Sequence, residues 1–415
     1  MKVNVIDGVP GCGKSTYILD YMNKNPDKRW LFVSPYLDEV GDGMAGGKKE
    51  LGRIQKECES LKFKSPSTTP TKSKSFLRLA KAGHNIACTH SLFQRFTQEI
   101  ADVLSEQEYH LVIDETIDLV SFYDDVKGHD VKLLMDSGFV RLEEGTSRLI
   151  WTVPDYKGRD STVKELCDNG CLFLCGEDVL IQRIPPNAMK ACKSVTILTY
   201  MFEASLMCAW MRLNNFEWEF ITPSELRPNS EIKDIIRPLL HIVEPPRAIV
   251  DMQRTEKGLY NRSVFNYTWY DKKSDGILPT VKRSIEVALR DKMPKGDVFW
   301  TTFKDWRGEL EGRGYTRGKK VGGQLRSPFV EKNKRASNEY RDCINCIYTI
   351  NIYPNGSLES HLASLGITLD RDMYALSELI QFIFRGSIRQ HKDMWVLILS
   401  ERMSLLLKEW LETDF

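Results

Sequence analysis

At 415 residues, with 42% apolar, 28% charged and 10% aromatic side chains, the chain has the composition of a globular protein of two or three domains. Its 58 basic residues against 57 acidic ones leave a formal charge of +1, which excludes a protein basic over its whole surface but not one with local basic patches. No run approaches the roughly 18 apolar residues of a membrane helix, and ten Cys are too few for a disulfide scaffold. No membrane partner is expected. A cytoplasmic protein with free, mostly buried thiols is.

Lys2-Val-Asn-Val-Ile-Asp7 reads as a short buried strand. It runs straight into Gly8-Val-Pro10-Gly11-Cys12-Gly13-Lys14-Ser15-Thr16, and the helix-like Tyr17-Ile-Leu-Asp-Tyr-Met22 follows. This is G-x-x-x-x-G-K-S between a strand and a helix, the setting in which the motif cradles phosphates. Its glycines let consecutive backbone N–H groups face one anion at a helix N-terminus. Lys14 is expected at the β- and γ-phosphates, and the Ser15 hydroxyl on Mg²⁺. The motif predicts binding of a nucleoside triphosphate, without separating a kinase, a GTPase or a motor.

Phe32-Val-Ser34-Pro35-Tyr36 is a strand opening into a loop, and Ile86-Ala-Cys-Thr89-His90-Ser-Leu-Phe93 follows after a Ser/Thr/Pro-rich stretch at 65–75. Tyr109-His-Leu-Val-Ile-Asp114-Glu115 is an apolar strand ending in two adjacent carboxylates. In motor ATPases the first holds the Mg²⁺ shell and the second takes a proton from the attacking water. Lys193-Ser-Val-Thr-Ile-Leu-Thr199-Tyr-Met-Phe202 is a third apolar strand, ending in a hydroxyl residue. Farther on come Val298-Phe-Trp-Thr301-Thr302-Phe, then Ala336-Ser337-Asn338-Glu339-Tyr340. In Ala375 to Arg389 the apolar positions recur at helical spacing, which predicts one helix with Gln381, Arg385 and Arg389 on a single face. Such a face is commonly a solvated stripe, yet Arg also stabilises a transferring phosphoryl group.

In this order the segments resemble a superfamily 2 (DEAD/DEAH-like) helicase or translocase, over most of the chain. The phosphate loop looks like motif I, residues 32–36 like motif Ia, Asp114-Glu115 like motif II and Leu198-Thr199-Tyr-Met201 like motif III. Residues 298–303, 336–340 and 381–389 resemble motifs IV, V and VI. The wording of the last two is similar to compact helicases encoded by phages and mobile elements, which would place the protein in a host-cell cytoplasm. The resemblance implies an α/β fold of two tandem RecA-like lobes with ATP and Mg²⁺ as cofactors. Gly8, Pro10, Gly11, Cys12, Gly13, Lys14, Ser15 and Thr16 would bind ATP, Ser15 and Asp114 the metal. Glu115, Gln381, Arg385 and Arg389 would be catalytic, with the arginine finger either Arg385 or Arg389, because the Gly of motif VI here follows the first Arg. Ser34, Pro35, Tyr36, Thr89, His90, Thr301, Thr302, Ser337 and Asn338 would touch nucleic acid. Motif III here lacks the usual small central residue and final hydroxyl.

The first lobe is expected over 1–225, a connector over 226–262 and the second lobe over 263–415. Asp114 and Thr199 lie 85 residues apart, so a small inserted subdomain is expected at about 125–190, with a hairpin over 139–153. It would be either a strand-separating wedge or a merely stabilising excursion. Residues 46–83 carry ten Lys/Arg against three acids, and residues 303–341 eleven against five. These stretches are either phosphate-binding patches or solvated faces. Trp300, Trp306 and Tyr315 are stacking candidates.

The expected partner is single-stranded or tailed duplex nucleic acid, DNA rather than RNA, with replication or recombination proteins beyond it. The alternative is a helicase-like NTPase that clamps or remodels nucleoprotein without unwinding. A P-loop kinase would leave the second half of the chain unexplained.

Overall fold

The computed structural model describes residues 2–45, 48–126, 128–176, 179–321, 324–331 and 338–413. It divides into two compact units, the first made of Met1–Gly8, Gly13–Leu226 and Pro354–Leu369, the second of Val9–Cys12, Arg227–Tyr353 and Asp370–Phe415. No helix of the described residues is long and apolar enough to cross a membrane.

The first unit is built on six parallel strands: β1 (Lys2–Asp7), β2 (Arg29–Ser34), β3 (Ile86–Thr89), β4 (Tyr109–Asp114), β5 (Ser194–Thr199) and β6 (Glu217–Phe220), in the order β6-β1-β5-β4-β2-β3. Because side chains alternate across a strand, neighbouring residues feed opposite cores. Leu31, Val33, Leu111 and Ile113 join one cluster. Trp30, Phe32 and Val112 join the other. Both faces are thus covered, which is why these strands read as unbroken apolar runs.

Between β4 and β5 lies the insertion. Strands Val120–Tyr123, Leu172–Cys175 and Val179–Arg183 form an antiparallel sheet with Val179–Arg183 in the middle. The hairpin expected over 139–153 is present, Val140–Leu142 pairing antiparallel with Leu149–Trp151. Val131, Val140, Leu149, Trp151, Val163 and Leu180 bury a core separate from those of the main sheet.

The second unit carries a parallel sheet of β7 (Leu240–Val243), β8 (Val298–Thr301), β9 (Asn345–Tyr348) and β10 (Met394–Ile398), in the order β7-β10-β9-β8. Of residues 226–262, expected as a connector, 227–262 belong to this unit and Leu226 to the first: Asn229–Ile236 is helical and β7 pairs with β10. Ile232, Ile236, Leu240 and Val243 are buried, and that apolar area holds the stretch in place. The expected second lobe is also interrupted. Helix α2 (Gly356–Ser364) belongs to the first unit, where Leu358, Leu362 and Leu369 enter the core.

Candidate nucleotide and nucleic-acid site

The phosphate loop springs from the end of β1. Gly8 N donates to Thr199 O over 2.9 Å, and the loop closes into helix α1 (Lys14–Asn23) with Tyr17 N on Gly13 O at 3.0 Å. Gly11 and Gly13 take φ of +94° and +105°, in the left-handed region that L side chains disfavour. Lys14 is 8% exposed and its ammonium donates to the Gly8 carbonyl, folding the side chain back over the loop. Pro10 and Ser15 are half-buried, Gly11 and Thr16 exposed, and Cys12 buried. Val9–Cys12 group with the second unit, in which Val9 N donates to Asn229 Oδ1 at 2.9 Å and Arg227 N to Cys12 O at 3.1 Å.

The sheet register brings the carboxylates to the same edge, Asp7 pairing with Thr199 and Leu198 with Asp114. Asp114 is 6% exposed and accepts from Ser34 Oγ over 3.1 Å. Burial pushes its carboxyl up to about 7, with Glu115 and Glu39 adding to the rise, while the Ser34 bond and Lys14 oppose it. Glu115 sits beyond the strand at φ +63° with its N–H on Leu198 O at 2.8 Å. A non-glycine residue there is uncommon and marks a constrained turn.

The donor set fits Mg²⁺. A buried carboxylate whose ionisation burial opposes gains from a cation, and Asp114 with the Ser15 hydroxyl offers hard oxygen donors. Among the described residues no three His, Cys, Asp or Glu side chains converge as a metal cage. Mg²⁺ does not require one, since it commonly keeps waters and substrate phosphates as ligands.

Asp7, the last residue of β1, was not singled out by sequence. Its carboxylate accepts from Met201 N at 2.9 Å and Phe202 N at 2.8 Å. Burial raises its pKa, against the opposing pull of those two bonds and of Lys14. Glu39 was missed as well; it acts electrostatically on Asp114 and lies 3.7 Å from Arg53. Position next to the loop is the only sequence signal for Asp7, and Glu39 has none.

Several residues expected to touch nucleic acid are turned inward. Ser34 is 0% exposed and spent on Asp114. His90 is buried, with Nε2 2.9 Å from the Asp114 carbonyl oxygen. Thr301 and Thr302 are buried at the end of β8. Pro35, Tyr36 and Thr89 keep partial exposure. Ser337 lies outside the described residues, as does the side chain of Asn338, whose backbone starts the turn Asn338–Tyr340. The stacking candidates Trp300, Trp306 and Tyr315 are all buried, Tyr315 meeting Trp300 edge-on at 5.2 Å. In the basic stretches Arg53 pairs with Glu57, Lys81 with Glu99, and Lys319 and Arg326 with Asp297.

The single helix expected to carry Gln381, Arg385 and Arg389 does not continue that far. Helix α3 (Arg371–Ile383) stops before Arg385, and Arg389 sits on a separate 3₁₀ turn, Ser387–Gln390. Gly386 lies so close to its surroundings that a Cβ would stand 2.7 Å from Met394 Cε and 2.9 Å from Phe299 Cε1. The chain must turn to reach that contact. Gln381 is half-buried, Arg385 is 6% exposed with its guanidinium 5.1 Å from the Phe382 ring centre, and Arg389 is exposed.

Residues 235–411 match the family described as the YonV C-terminal Rossmann-like domain. The chain is 28% identical, over 441 aligned positions spanning 100% of it and 99% of the relative, to the SPbeta prophage-derived uncharacterized protein YonV of Bacillus subtilis (strain 168). The solved structure of S. tokodaii Xpd4 superposes with a TM-score of 0.52 at 13% identity, covering 99% of this chain and 94% of that one. The fold is helicase-like. It consists of two tandem RecA-like P-loop lobes with a small subdomain inserted in the first.

Proposed function

We propose that the chain is an ATP-dependent translocase of helicase type, which hydrolyses ATP to move along single-stranded nucleic acid and separate duplex. One observation carries this reading: buried Lys14 at the head of α1 and the Asp114-Glu115 pair belong to one edge of one parallel sheet. Lys14 binds the β- and γ-phosphates, and the loop N–H groups orient them. Glu115 accepts the proton of the attacking water, a task suited to a carboxylate at the mouth of a strand rather than inside it. Ser15 and Asp114 would hold Mg²⁺, which would supply charge neutralisation at the phosphates. Arg385 and Arg389 are the second lobe's candidates for the transferring phosphoryl group, Arg385 buried and Arg389 exposed. The prophage origin of the relative favours DNA.

A second reading, an NTPase that clamps or remodels nucleoprotein without unwinding, draws on the burial of Ser34, His90, Thr301 and Thr302, which leaves fewer side chains for a moving grip. ATPase rates with single-stranded DNA, single-stranded RNA and tailed duplexes, beside strand-displacement assays, separate the two. Stimulation with displacement supports the translocase, and stimulation alone supports the clamp. Lys14→Ala and Glu115→Ala abolish turnover, whereas Glu115→Gln retains bound ATP. Absence of stimulation by any nucleic acid at low salt overturns both.

A further inference from the structure

One backbone bond and two bonds to the Asp7 side chain tie the entry of the phosphate loop to the turn after β5. Gly8 N reaches Thr199 O, and the two oxygens of Asp7 take the N–H groups of Met201 and Phe202. Met201 is held at φ +56°, where its Cβ is disfavoured, and Phe202 opens the 3₁₀ turn Phe202–Ala204. Thr199 is fully buried, and its hydroxyl has no hydrogen-bond partner among the described residues. This turn is the segment that lacks the small central residue and final hydroxyl of the motif it resembles. A carboxylate from the neighbouring strand braces it.

We propose that Asp7 is a positioning residue that locks the turn 199–202 to the strand leading into the phosphate loop, so that loop and turn move as one piece and nucleic-acid binding is coupled to ATP hydrolysis. Two acceptor oxygens are needed, because two N–H groups converge from one side. An Asn in this position would turn an N–H₂ group toward one of them and leave a buried donor unsatisfied. The carboxylate also holds Met201 in a conformation it would otherwise leave. Asp7 touches neither nucleotide nor reacting water in this scheme and acts only through the turn.

The inference rests on the ATPase reading above, and the experiment separates their failures. Asp7→Asn should lower the factor by which single-stranded DNA stimulates ATPase at least about fivefold, a coupling loss of ordinary size, while the Kd of a fluorescent ADP stays within about twofold. Adding Met201→Gly should restore much of that stimulation, because glycine adopts positive φ without being held there. Wild-type stimulation in Asp7→Asn, or a fall in ADP affinity matching the fall in stimulation, overturns the positioning role. If Asp7→Asn does not fold, the double variant decides instead: stimulation above one fifth of wild type supports the role, and an equally impaired soluble protein overturns it. Wild-type protein without stimulated ATPase overturns the function and this inference together. Stimulated wild type with inactive Lys14→Ala and normal Asp7→Asn removes only the inference.

Discussion

Ser34 Oγ lies 3.1 Å from Asp114 Oδ2, so a residue at the end of β2 steadies the carboxylate at the end of β4. The two strands are sheet neighbours, and both side chains are buried. A hydrogen bond to the ionised form favours it, and Ser34 lowers the Asp114 pKa against burial. Ser34→Ala therefore raises that pKa further, and the acid limb of the kcat–pH profile moves to higher pH. An unmoved profile would show that Asp114 ionisation does not limit turnover. The same variant should cost about 1–3 kcal/mol of stability in urea titration, the usual range for an undone buried bond to a charged group.

His361 of α2 is 4% exposed, its Nε2 has no hydrogen-bond partner among the described residues, and burial with nearby Arg183 lowers its pKa. The folded value lies below the unfolded one of about 6.5, so the unfolded chain takes up the proton first. This contribution to stability is intact above about pH 6.5 and is lost as pH falls through the folded value. His361→Leu should flatten the decline of the melting temperature between pH 7.5 and 5.5. The decline should not vanish, since burial also depresses His84 and His110.

A Cβ at Gly386 would force Met394 and Phe299 to shift. Gly386→Ala should cost about 1–3 kcal/mol, the usual price of overpacking a core. A chemical denaturation midpoint equal to that of wild type would contradict the close approach.

Arg402 is 2% exposed and bonds to Asp372 Oδ1, Asn351 Oδ1, Ile352 O and Arg371 O at 2.8–2.9 Å. Those partners flank the segment Pro354–Leu369, which belongs to the first unit, so Arg402 fastens both ends of that excursion. Arg402→Ala should cost about 1–3 kcal/mol, because it leaves the Asn351, Ile352 and Arg371 acceptors without their donor, while Asp372 keeps Arg262. Arg402→Lys should recover little of it, since an ammonium cannot reproduce the planar fork. Differential scanning calorimetry of the three proteins checks both statements.

The phosphate loop, the strand ending in Asp114-Glu115 and the insertion with its hairpin were legible because each is a local pattern. Glycines permit a backbone path, and an apolar run predicts a strand wherever it docks. The helical reading of residues 381–389 failed for a nonlocal reason. Helical spacing continues past Ile383, but Gly386 packs on Met394 and Phe299, partners from other parts of the chain, and the backbone turns to meet them. Four of the nucleic-acid candidates, Ser34, His90, Thr301 and Thr302, are buried for a similar reason. A hydroxyl at a strand end reads as surface, and only the neighbouring strand determines that Ser34 faces Asp114 or that Thr301 is sealed in.

By itself, then, the sequence determined the chemistry available: a glycine-rich turn of the phosphate-loop pattern, two adjacent carboxylates, and apolar strands for two α/β lobes. Tertiary structure alone decided which polar groups are buried against each other, and drew 227–262 into the second unit and 354–369 into the first. Local propensity and periodicity act over a few residues, whereas burial and hydrogen-bond satisfaction are settled by whichever distant segment completes the core.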